Sequence, residues 1–503
     1  MSLGNNYYVS SFIWSTLSKI LSAIVGFISV PLLLGYYGKA EYGILSIATA
    51  CNSYMHLLDL GMNIGAVKFF SQWKAEGNID KIYRVARTNI TFYGIIALIN
   101  IAGLLLLAFF GRSFFSITDA QFVTLQKCLI IIALFSILSW GATTFNQLLI
   151  ADKQMAFTMK MQCFIGLLKG LLVACVFLFE WSLLTYFFSL TAVISLFIVP
   201  YAIRCTQHNL IDSLMPAAYW KEFKVVLVFS LSIFALSLFQ TTASQSRPII
   251  LSMFAINGAE TVAEYNIIGV VPSFIIMIGG TFSGIFLPKT SEMVARNDST
   301  AIQEFAYKWT RYTTIVVSSL CFPFILCSSE VISAYVGQEY SHLSIWMTIW
   351  CVSVLVQMHT TPGNALVLAY GKTKLLVKVT SIACLLSIVL NAFLCKYFSV
   401  GSAVISYFIY TLAIIGLYYV SFYKKLLGLS RLRMFCCFLY PVIIAIITFC
   451  IVSFSPINVG LFDGINLRLA YIIVCIIRSS IWLLLYMFAL YLFKLLDLKE
   501  LRK

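Results

Sequence analysis

Long apolar runs separated by short polar segments make up most of the sequence between residues 9 and 493. A helix needs about 20 apolar residues to cross the hydrocarbon core of a membrane. By that measure the pattern predicts about 14 membrane-spanning helices, the first two at 9–33 and 44–66. The connecting segments are too short to hold a soluble catalytic domain. The predicted fold is therefore an all-α, multi-pass membrane protein.

The amino-acid composition excludes most soluble classes of protein. Of 503 residues, 61% are hydrophobic and 11% are charged, whereas a soluble domain carries about 25% charged residues. Soluble enzymes and secreted disulfide scaffolds are thereby excluded. The 14 cysteines form no CxxC pair and no metal-spaced cluster, so we expect apolar packing and no metal site. The N-terminal segment lacks the basic region of a signal peptide, so we expect the first apolar run to be a retained helix.

The positive charge of the chain reports its orientation in the membrane. The net charge is +15. If the N-terminus is cytoplasmic, the loops and tail on that side carry 25 Lys and Arg residues, and the opposite loops carry 4. Since cytoplasmic loops are enriched in these residues, we predict that both termini are cytoplasmic. The charge therefore requires no nucleic-acid partner.

An internal repeat relates two parts of the chain. The segment NQLLIADKQMAFTMK (146–160) aligns without gaps on NALVLAYGKTKLLVK (364–378), an offset of 218 residues. Asn146 thereby corresponds to Asn364. The repeat contains six predicted spans, and an even number of spans returns the chain to the same side of the membrane. The two halves are therefore expected to be parallel repeats.

The repeat predicts the domain organisation. The predicted parts are an N-terminal six-helix lobe (1–208), a cytoplasmic linker (209–224), a C-terminal six-helix lobe (225–423), and helices 13 and 14 with a basic tail (424–503). Two similar lobes suggest a cavity between them and alternating access by rocking. This organisation is more typical of a transporter than of an enzyme or a channel.

Helix 2 is the most informative of the predicted spans. Its polar residues are spaced by three or four positions: Thr49, Asn52, His56, Asp59 and Asn63. This spacing puts all five on one side of a continuous helix. Interhelical hydrogen bonding is one interpretation. A face that turns toward a water-filled cavity is the other.

Charged residues well inside the predicted spans are candidate site residues, because each costs several kcal/mol unless it is paired or hydrated. They are Lys19, Asp59, Lys169, Arg247 and Arg478. Lys19 and Asp59 lie at similar predicted depths and can form a pair, either as a structural bridge or as a site for an anionic headgroup or a proton. Four cations and one acid leave this set at +3, which attracts anions such as phosphate-bearing lipids.

Four segments resemble a known family. They are PLLLGYYGKAEYGILSIATA (31–50) with LLDLGMNIGAVKFF (57–70), SRPIILSMFAINGAETVAEYN (246–266), and Gly401-Ser402-Ala403. They are similar to the polysaccharide-export flippases, the Wzx-type O-antigen flippases of the multidrug/oligosaccharidyl-lipid/polysaccharide (MOP) superfamily. In this chain Ser246 stands where that family commonly has Asp.

The resemblance implies a function. Such a flippase moves an undecaprenyl-diphosphate-linked O-antigen repeat unit from the cytoplasmic to the periplasmic leaflet of the bacterial inner membrane. It implies coupling to a proton or sodium gradient, no other cofactor, and contact with membrane lipids, the O-antigen polymerase and the chain-length regulator. The expected cavity residues are Lys19, Asp59, Arg247, Asn52 and Asn63, with His56 and Asp59 as ion-coupling candidates and Lys169 and Arg478 as secondary candidates.

Three alternatives remain open from the residues. A drug/cation antiporter of the same superfamily should carry more acidic residues in its cavity, and a lipid II flippase differs in the sugar that it moves. A membrane O-antigen polymerase or ligase would need a larger outside loop than 111–124 or 456–467, each of which holds one Asp and no His. The chain has no GxxxxGK[ST] motif, so we do not expect ATP to drive transport directly.

Overall fold

The computed structural model describes residues 3–296, 298–371, 374–457, 459–462 and 466–495. Within these ranges the regular secondary structure is entirely helical, which confirms the predicted all-α class. The α-helices are α1 (Leu3–Met55), α2 (Met62–Ala75), α3 (Ile79–Phe110), α4 (Asp119–Ala151), α5 (Met155–Phe179), α6 (Leu183–Leu196), α7 (Ile198–Gln207), α8 (Trp220–Phe254), α9 (Gly258–Ala295), α10 (Ser299–Leu326), α11 (Ser328–Tyr335), α12 (Ser344–Met358), α13 (Thr361–Ala369), α14 (Lys374–Phe398), α15 (Gly401–Leu417), α16 (Arg431–Ser453) and α17 (Leu467–Leu492). A π-helical segment, Tyr418–Leu426, continues α15.

The chain is a multi-pass membrane protein. Among the described residues, 11 helices are long and apolar enough to cross a membrane. The number becomes 12 if α10 and α11, which are bent by 72° at their junction, form one broken span. The count of 14 spans and the cytoplasmic position of both termini stay predictions.

Local sequence signals set the ends of several helices. Thr118 and Gln121 form a capping box at the start of α4, and Ser182 caps α6. Such side chains satisfy the amide groups that the first helical turn leaves unpaired. Gly38 (φ 81°, ψ 166°) breaks the helical backbone inside α1 and so separates the predicted spans 9–33 and 44–66. This conformation is strongly disfavoured for residues with a side chain.

Residues Met1–Ala263 form one compact unit. In it α3 packs against α4, α1 packs against α5, and α8 packs against α1 and α2. Gly43 in α1 lies so close to the start of α9 that a Cβ atom there would meet the Ala259 carbonyl oxygen at 1.9 Å. The repeat assigns α8 to the second lobe, whereas α8 packs within the first unit. The lobe boundaries therefore stay a prediction from the repeat.

Residues Glu264–Lys503 form the second compact unit. Here α14 pairs with α15, and α10 packs against α16 and α17. Trp482 of α17 is fully buried between Phe322 (ring centroids 5.4 Å apart) and Tyr486 (4.8 Å). The appended helices α16 and α17 are thus an integral part of the core of this unit.

Candidate functional site

A break in the helical path between α1 and α2 creates the candidate site. Residues His56–Asp59 form a single 3₁₀ turn, followed by Leu60 (φ 52°) and Gly61 (φ 74°) in the left-handed conformation. A Cβ atom on Gly61 would also lie 2.7 Å from the carbonyl oxygen of Ser230 in α8. Only glycine meets both requirements without strain, so the break is fixed by the sequence and by the packing of α8.

The break corrects the prediction of one continuous polar face on helix 2. Thr49 and Asn52 lie before the break, within α1, where the Thr49 hydroxyl donates to the Leu45 carbonyl oxygen (2.8 Å). His56 and Asp59 lie in the 3₁₀ turn, and Asn63 lies in the first turn of α2. The left-handed residues interrupt the 3.6-residue period, so spacing alone no longer places all five side chains together.

A cavity of about 450 Å³ opens beside this turn, within the unit Met1–Ala263. Its polar lining residues are His56, Asp59, Asn63, Ser139, Thr143, Asn146, Gln162 and Lys169. Its aromatic lining residues are Trp140, Phe197 and Tyr201. Amides and hydroxyls beside aromatic rings suit sugars, and an ammonium group suits an anion. A cavity of this size holds one moderately sized polar group.

Asp59 is held in place by hydrogen bonds to both carboxylate oxygens. Tyr93 of α3 donates its hydroxyl to Asp59 Oδ1 (2.6 Å), and the backbone amide of Asn63 donates to Oδ2 (3.2 Å). Behind Tyr93, Gln147 of α4 donates to the Tyr93 oxygen (2.7 Å), and Asn89 of α3 donates to Gln147 Oε1 (2.7 Å). The carboxylate thus ends a chain of side chains that crosses two helices.

Two aromatic rings, Tyr93 of α3 and Trp140 of α4, pack together beside Asp59. The Trp140 ring stacks on the Tyr93 ring (centroids 5.9 Å apart) and lies 5.2 Å from the ring of His56. Trp140 and Tyr93 are 5% and 0% exposed, so both rings belong to the core, and Trp140 also lines the cavity. The packing fixes the Tyr93 hydroxyl in its orientation toward Asp59.

Lys169 supplies the cavity with a positive charge. It lies near the middle of α5, and within the described residues it has no ion-pair or hydrogen-bond partner. Helix α5 approaches α1 closely because Gly166 leaves room for Leu21, whose Cδ2 would lie 3.3 Å from a Cβ atom there. A half-buried ammonium group without a partner costs free energy, which an anionic ligand could recover.

Lys19, Asn52 and Arg247 do not line this cavity. Lys19 is exposed on α1, and Asn52 is half-buried on the same helix. Arg247 is 5% exposed within α8. The predicted pair between Lys19 and Asp59 is not formed in the described structure: the Lys19 side chain is exposed on α1, and Asp59 accepts hydrogen bonds from Tyr93 and the Asn63 amide instead. The cavity therefore brings together His56, Asp59, Asn63 and Lys169 of the predicted residues.

Arg478 lies in the second unit, and its charge is balanced. Its Nη1 atom lies 3.0 Å from Oε1 of Glu330 in α11, and the two side chains are only 15% and 20% exposed. Glu330 thus neutralises one of the four cations that the sequence predicts inside the membrane. This pair has the burial and geometry of a structural contact between α11 and α17.

Sequence reasoning missed Asn89, Tyr93 and Gln147. A signal was available in α3, where Asn89, Tyr93 and Asn100 recur at helical spacing on one face. Asn100 also contacts α4, since its Oδ1 accepts from the Ser136 hydroxyl (2.8 Å). The spacing predicts a polar face, but it does not show which carboxylate that face would meet.

A second charged cluster joins three segments outside the membrane spans. Asp152, which follows α4 and is almost fully buried, pairs with Lys74 of α2, and its Oδ2 lies 3.1 Å from Nδ1 of His208 after α7. Although His208 faces a carboxylate, burial and the nearby cations Arg204 and Lys74 lower its pKa from the usual 6.5. Burial, together with Lys153, also lowers the pKa of Lys74.

Comparison with known families identifies the chain. The sequence profile of a family described as "Polysaccharide biosynthesis protein" matches residues 8–283, which is more than half of the chain. The chain belongs to this family. The matched region includes every residue that lines the cavity. No curated protein matches the sequence.

Solved structures share the fold at low sequence identity. "Lipid II flippase MurJ, inward closed conformation" is 11% identical, with a TM-score of 0.69 over 95% of this chain and 99% of that one. An inward-facing multidrug resistance MATE family transporter of the MOP superfamily is 11% identical (TM-score 0.64, 85% and 97% covered). A MOP superfamily transporter from Pyrococcus furiosus, described as having a binding pocket of reverse polarity, is 13% identical (TM-score 0.52, 84% and 96% covered).

These findings confirm the family resemblance and the fold class. The chain is a membrane protein of the polysaccharide biosynthesis family with the fold of MOP superfamily transporters. The related structures are transporters or flippases, in line with the expectation of a transporter.

Proposed function

We propose that this protein is a flippase that moves an undecaprenyl-diphosphate-linked O-antigen repeat unit from the cytoplasmic to the periplasmic leaflet of a bacterial inner membrane. Alternating access between two states would carry the polar headgroup across. The observation that supports this proposal most strongly is the polar cavity of the first unit, where Lys169 lies among amide, hydroxyl and aromatic side chains. Membership of a polysaccharide biosynthesis family supports a sugar-bearing substrate.

In this proposal different lining residues of the cavity bind the phosphate and the sugar. Lys169 would bind a phosphate oxygen through a charge-assisted hydrogen bond. Asn63, Asn146 and Gln162, which line the same cavity, would donate to and accept from sugar hydroxyls. With a volume of about 450 Å³, the cavity would hold only a proximal part of the headgroup, and the polyprenyl chain would stay in the lipid.

Lys19 and Arg247 remain proposed cationic residues of the transport path, although neither lines this cavity. The exposed position of Lys19 allows contact with an anionic headgroup at the helix surface. For Arg247 we expect Arg247→Ala to reduce export and Arg247→Lys to retain part of it, because the lysine keeps the charge but loses the planar fork of donors. The partners proposed are the O-antigen polymerase and the chain-length regulator.

Asp59 and His56 are the proposed ion-coupling residues. Both line the cavity, and Asp59 is its one carboxylate among the lining residues. A carboxylate can bind a proton or contribute a ligand to Na⁺. Binding of either ion would change the charge that the headgroup meets, and this would link the ion gradient to transport.

Two alternatives of the same superfamily have specific support. Asp59 favours a drug/cation antiporter, but Lys169 in the same cavity would repel a cationic drug. The likeness to a lipid II flippase concerns the fold alone, yet lipid II offers Lys169 a similar diphosphate. The two lipid substrates differ in their sugars, which the experiment must distinguish.

The leaflet position of the lipid-linked repeat unit tests the proposal. We expect deletion of the gene to leave unpolymerised repeat units on the cytoplasmic leaflet, and the full chain to restore export. Repeat units stranded on the periplasmic leaflet would assign the defect to polymerisation or ligation. Normal surface polysaccharide would contradict the proposal; altered drug sensitivity would then support the antiporter, and cytoplasmic accumulation of lipid II would support the second flippase.

A further inference from the structure

Three polar side chains behind the cavity are not explained by headgroup binding. Asn89, Tyr93 and Gln147 are each 0% exposed, and none lines the cavity. Burying polar groups inside a membrane protein is costly unless their hydrogen bonds are satisfied. Hydrogen bonds join these three side chains to one another and to Asp59. A function at that carboxylate would explain why they are buried there.

All hydrogen bonds of this chain have the same direction. Asn89 donates to Gln147, Gln147 donates to Tyr93, and Tyr93 donates to Asp59, over donor–acceptor distances of 2.7, 2.7 and 2.6 Å. Hydrogen bonds aligned in this way polarise one another. The positive end of the chain therefore faces the carboxylate, where a donor stabilises negative charge most strongly.

The second oxygen of Asp59 adds a constraint on protonation. It accepts from the backbone amide of Asn63 at 3.2 Å, so both oxygens act as acceptors. A proton on either oxygen would remove or weaken one of these bonds. The observed arrangement therefore favours the ionised carboxylate and fixes its orientation.

We propose that Tyr93, Gln147 and Asn89 are positioning residues that stabilise the ionised form of Asp59 and hold it aimed into the cavity, so that proton uptake by Asp59 weakens its hydrogen bonds with Tyr93 and the Asn63 amide. This inference rests on the proposed role of Asp59 in ion coupling. Tyr93 should affect the protonation of Asp59 most strongly, because its hydroxyl donates directly to the carboxylate. Gln147 and then Asn89 act through it with decreasing effect.

Other titratable groups line the cavity together with Asp59. His56 lies on the same turn, Lys169 lines the cavity from α5, and Tyr201 lines it from α7. Helix α4 presents Trp140, which does not titrate. Tyr201 is a control for Tyr93, because it is a buried tyrosine that lines the cavity with Asp59 but does not donate to this carboxylate.

The test is the pH dependence of carbodiimide modification at Asp59, followed by mass spectrometry on the full-length protein in nanodiscs. Carbodiimides react with protonated carboxyl groups, so this readout does not depend on transport. We expect Tyr93→Phe to move the midpoint of modification upward by about one to two pH units, because a hydrogen bond to a charged group contributes about 1.5–3 kcal/mol. Gln147→Leu should move it in the same direction by less, and Tyr201→Phe should leave it in place.

Two results would overturn the inference. One is a Tyr93→Phe profile that superimposes on that of the wild type, and the other is an equal shift in Tyr201→Phe. The Tyr93→Phe shift must also persist in a His56→Gln background, which removes the neighbouring titration. If Tyr93→Phe does not fold, Gln147→Leu alone tests the inference, and an unshifted midpoint rejects it. A shifted midpoint together with normal export by Asp59→Asn would uphold the hydrogen-bond chain and reject the coupling role.

Discussion

The two compact units use equivalent polar positions differently. Asn146 in the first unit and Asn364 in the second correspond in the sequence repeat. Asn146 lines the cavity, and within the described residues its side chain has no hydrogen-bond partner. Asn364 accepts a hydrogen bond from the Tyr418 hydroxyl at 2.8 Å. The same residue type thus faces a cavity in one unit and serves as an internal contact in the other.

Other polar groups of the second unit follow the pattern of Asn364. Both ring nitrogens of His359 have partners, the Val356 carbonyl oxygen (2.5 Å) and the Tyr419 hydroxyl (3.2 Å). Gln357 accepts from Tyr407. Satisfied polar groups of this kind stabilise a fold, whereas polar groups that line a cavity are available to a ligand. The comparison therefore supports the proposal that the cavity of the first unit contacts the ligand.

The largest expected effect concerns Lys169. We expect Lys169→Gln to lower export of the lipid-linked repeat unit roughly tenfold or more, because a charge-assisted bond to phosphate contributes about 1.5–3 kcal/mol. Lys160→Gln is the matched control, since Lys160 lies on the same helix, lies 5.1 Å from the Trp14 ring, and does not line the cavity. Export is measured per unit of membrane-inserted protein. Equal export by both variants would contradict the proposal that the cavity of the first unit binds the headgroup through Lys169.

The second-largest expected effect is a loss of stability when an ion pair of the second unit is broken. Arg478→Ala leaves the carboxylate of Glu330 without its partner, and we expect a loss of about 3 kcal/mol in stability. Replacing both residues with apolar ones, Arg478→Met with Glu330→Leu, should recover most of it. Thermal unfolding in detergent measures both variants. A stable Arg478→Ala variant that has lost only export would show that Arg478 contacts substrate.

The repeat allows the same substitution to be compared at equivalent positions of the two units. Asn146→Ala should lower export several-fold and leave thermal stability nearly unchanged, because the side chain faces the cavity. Asn364→Ala should lower stability by about 1 kcal/mol, because it leaves the Tyr418 hydroxyl without its acceptor. Export per folded molecule should stay normal in that variant. The reverse assignment of effects would contradict the comparison.

The smallest effect is a pH dependence of stability at His208. Its pKa is lowered in the folded protein, so the unfolded chain binds more protons as the pH falls toward and below 6.5. The folded state should therefore lose stability on acidification. We expect His208→Gln to lose less than the wild type when thermal unfolding is compared at pH 7.5 and pH 5.5. Equal losses in the two proteins would show that His208 does not contribute.

Much of the fold could be predicted from the sequence, because apolar runs of membrane length and capping residues are local signals. The candidate site could be predicted only in part. Spacing drew attention to His56, Asp59 and Asn63, but the break at Gly61 depends on contact with Ser230, which is distant in sequence. Contacts between residues of different helices could not be predicted from the sequence either. Arg478 and Glu330 lie 148 positions apart, so no local pattern connects them.

The most direct test of the central claim is equilibrium binding of an undecaprenyl-diphosphate-linked saccharide to the purified full-length protein in nanodiscs. In the proposed function, the cavity of the first unit binds the anionic headgroup through Lys169. We predict that Lys169→Gln weakens binding about tenfold or more, while Lys160→Gln binds like the wild type. Wild-type affinity in the Lys169→Gln protein would contradict the claim and would place the anionic contact elsewhere in the chain.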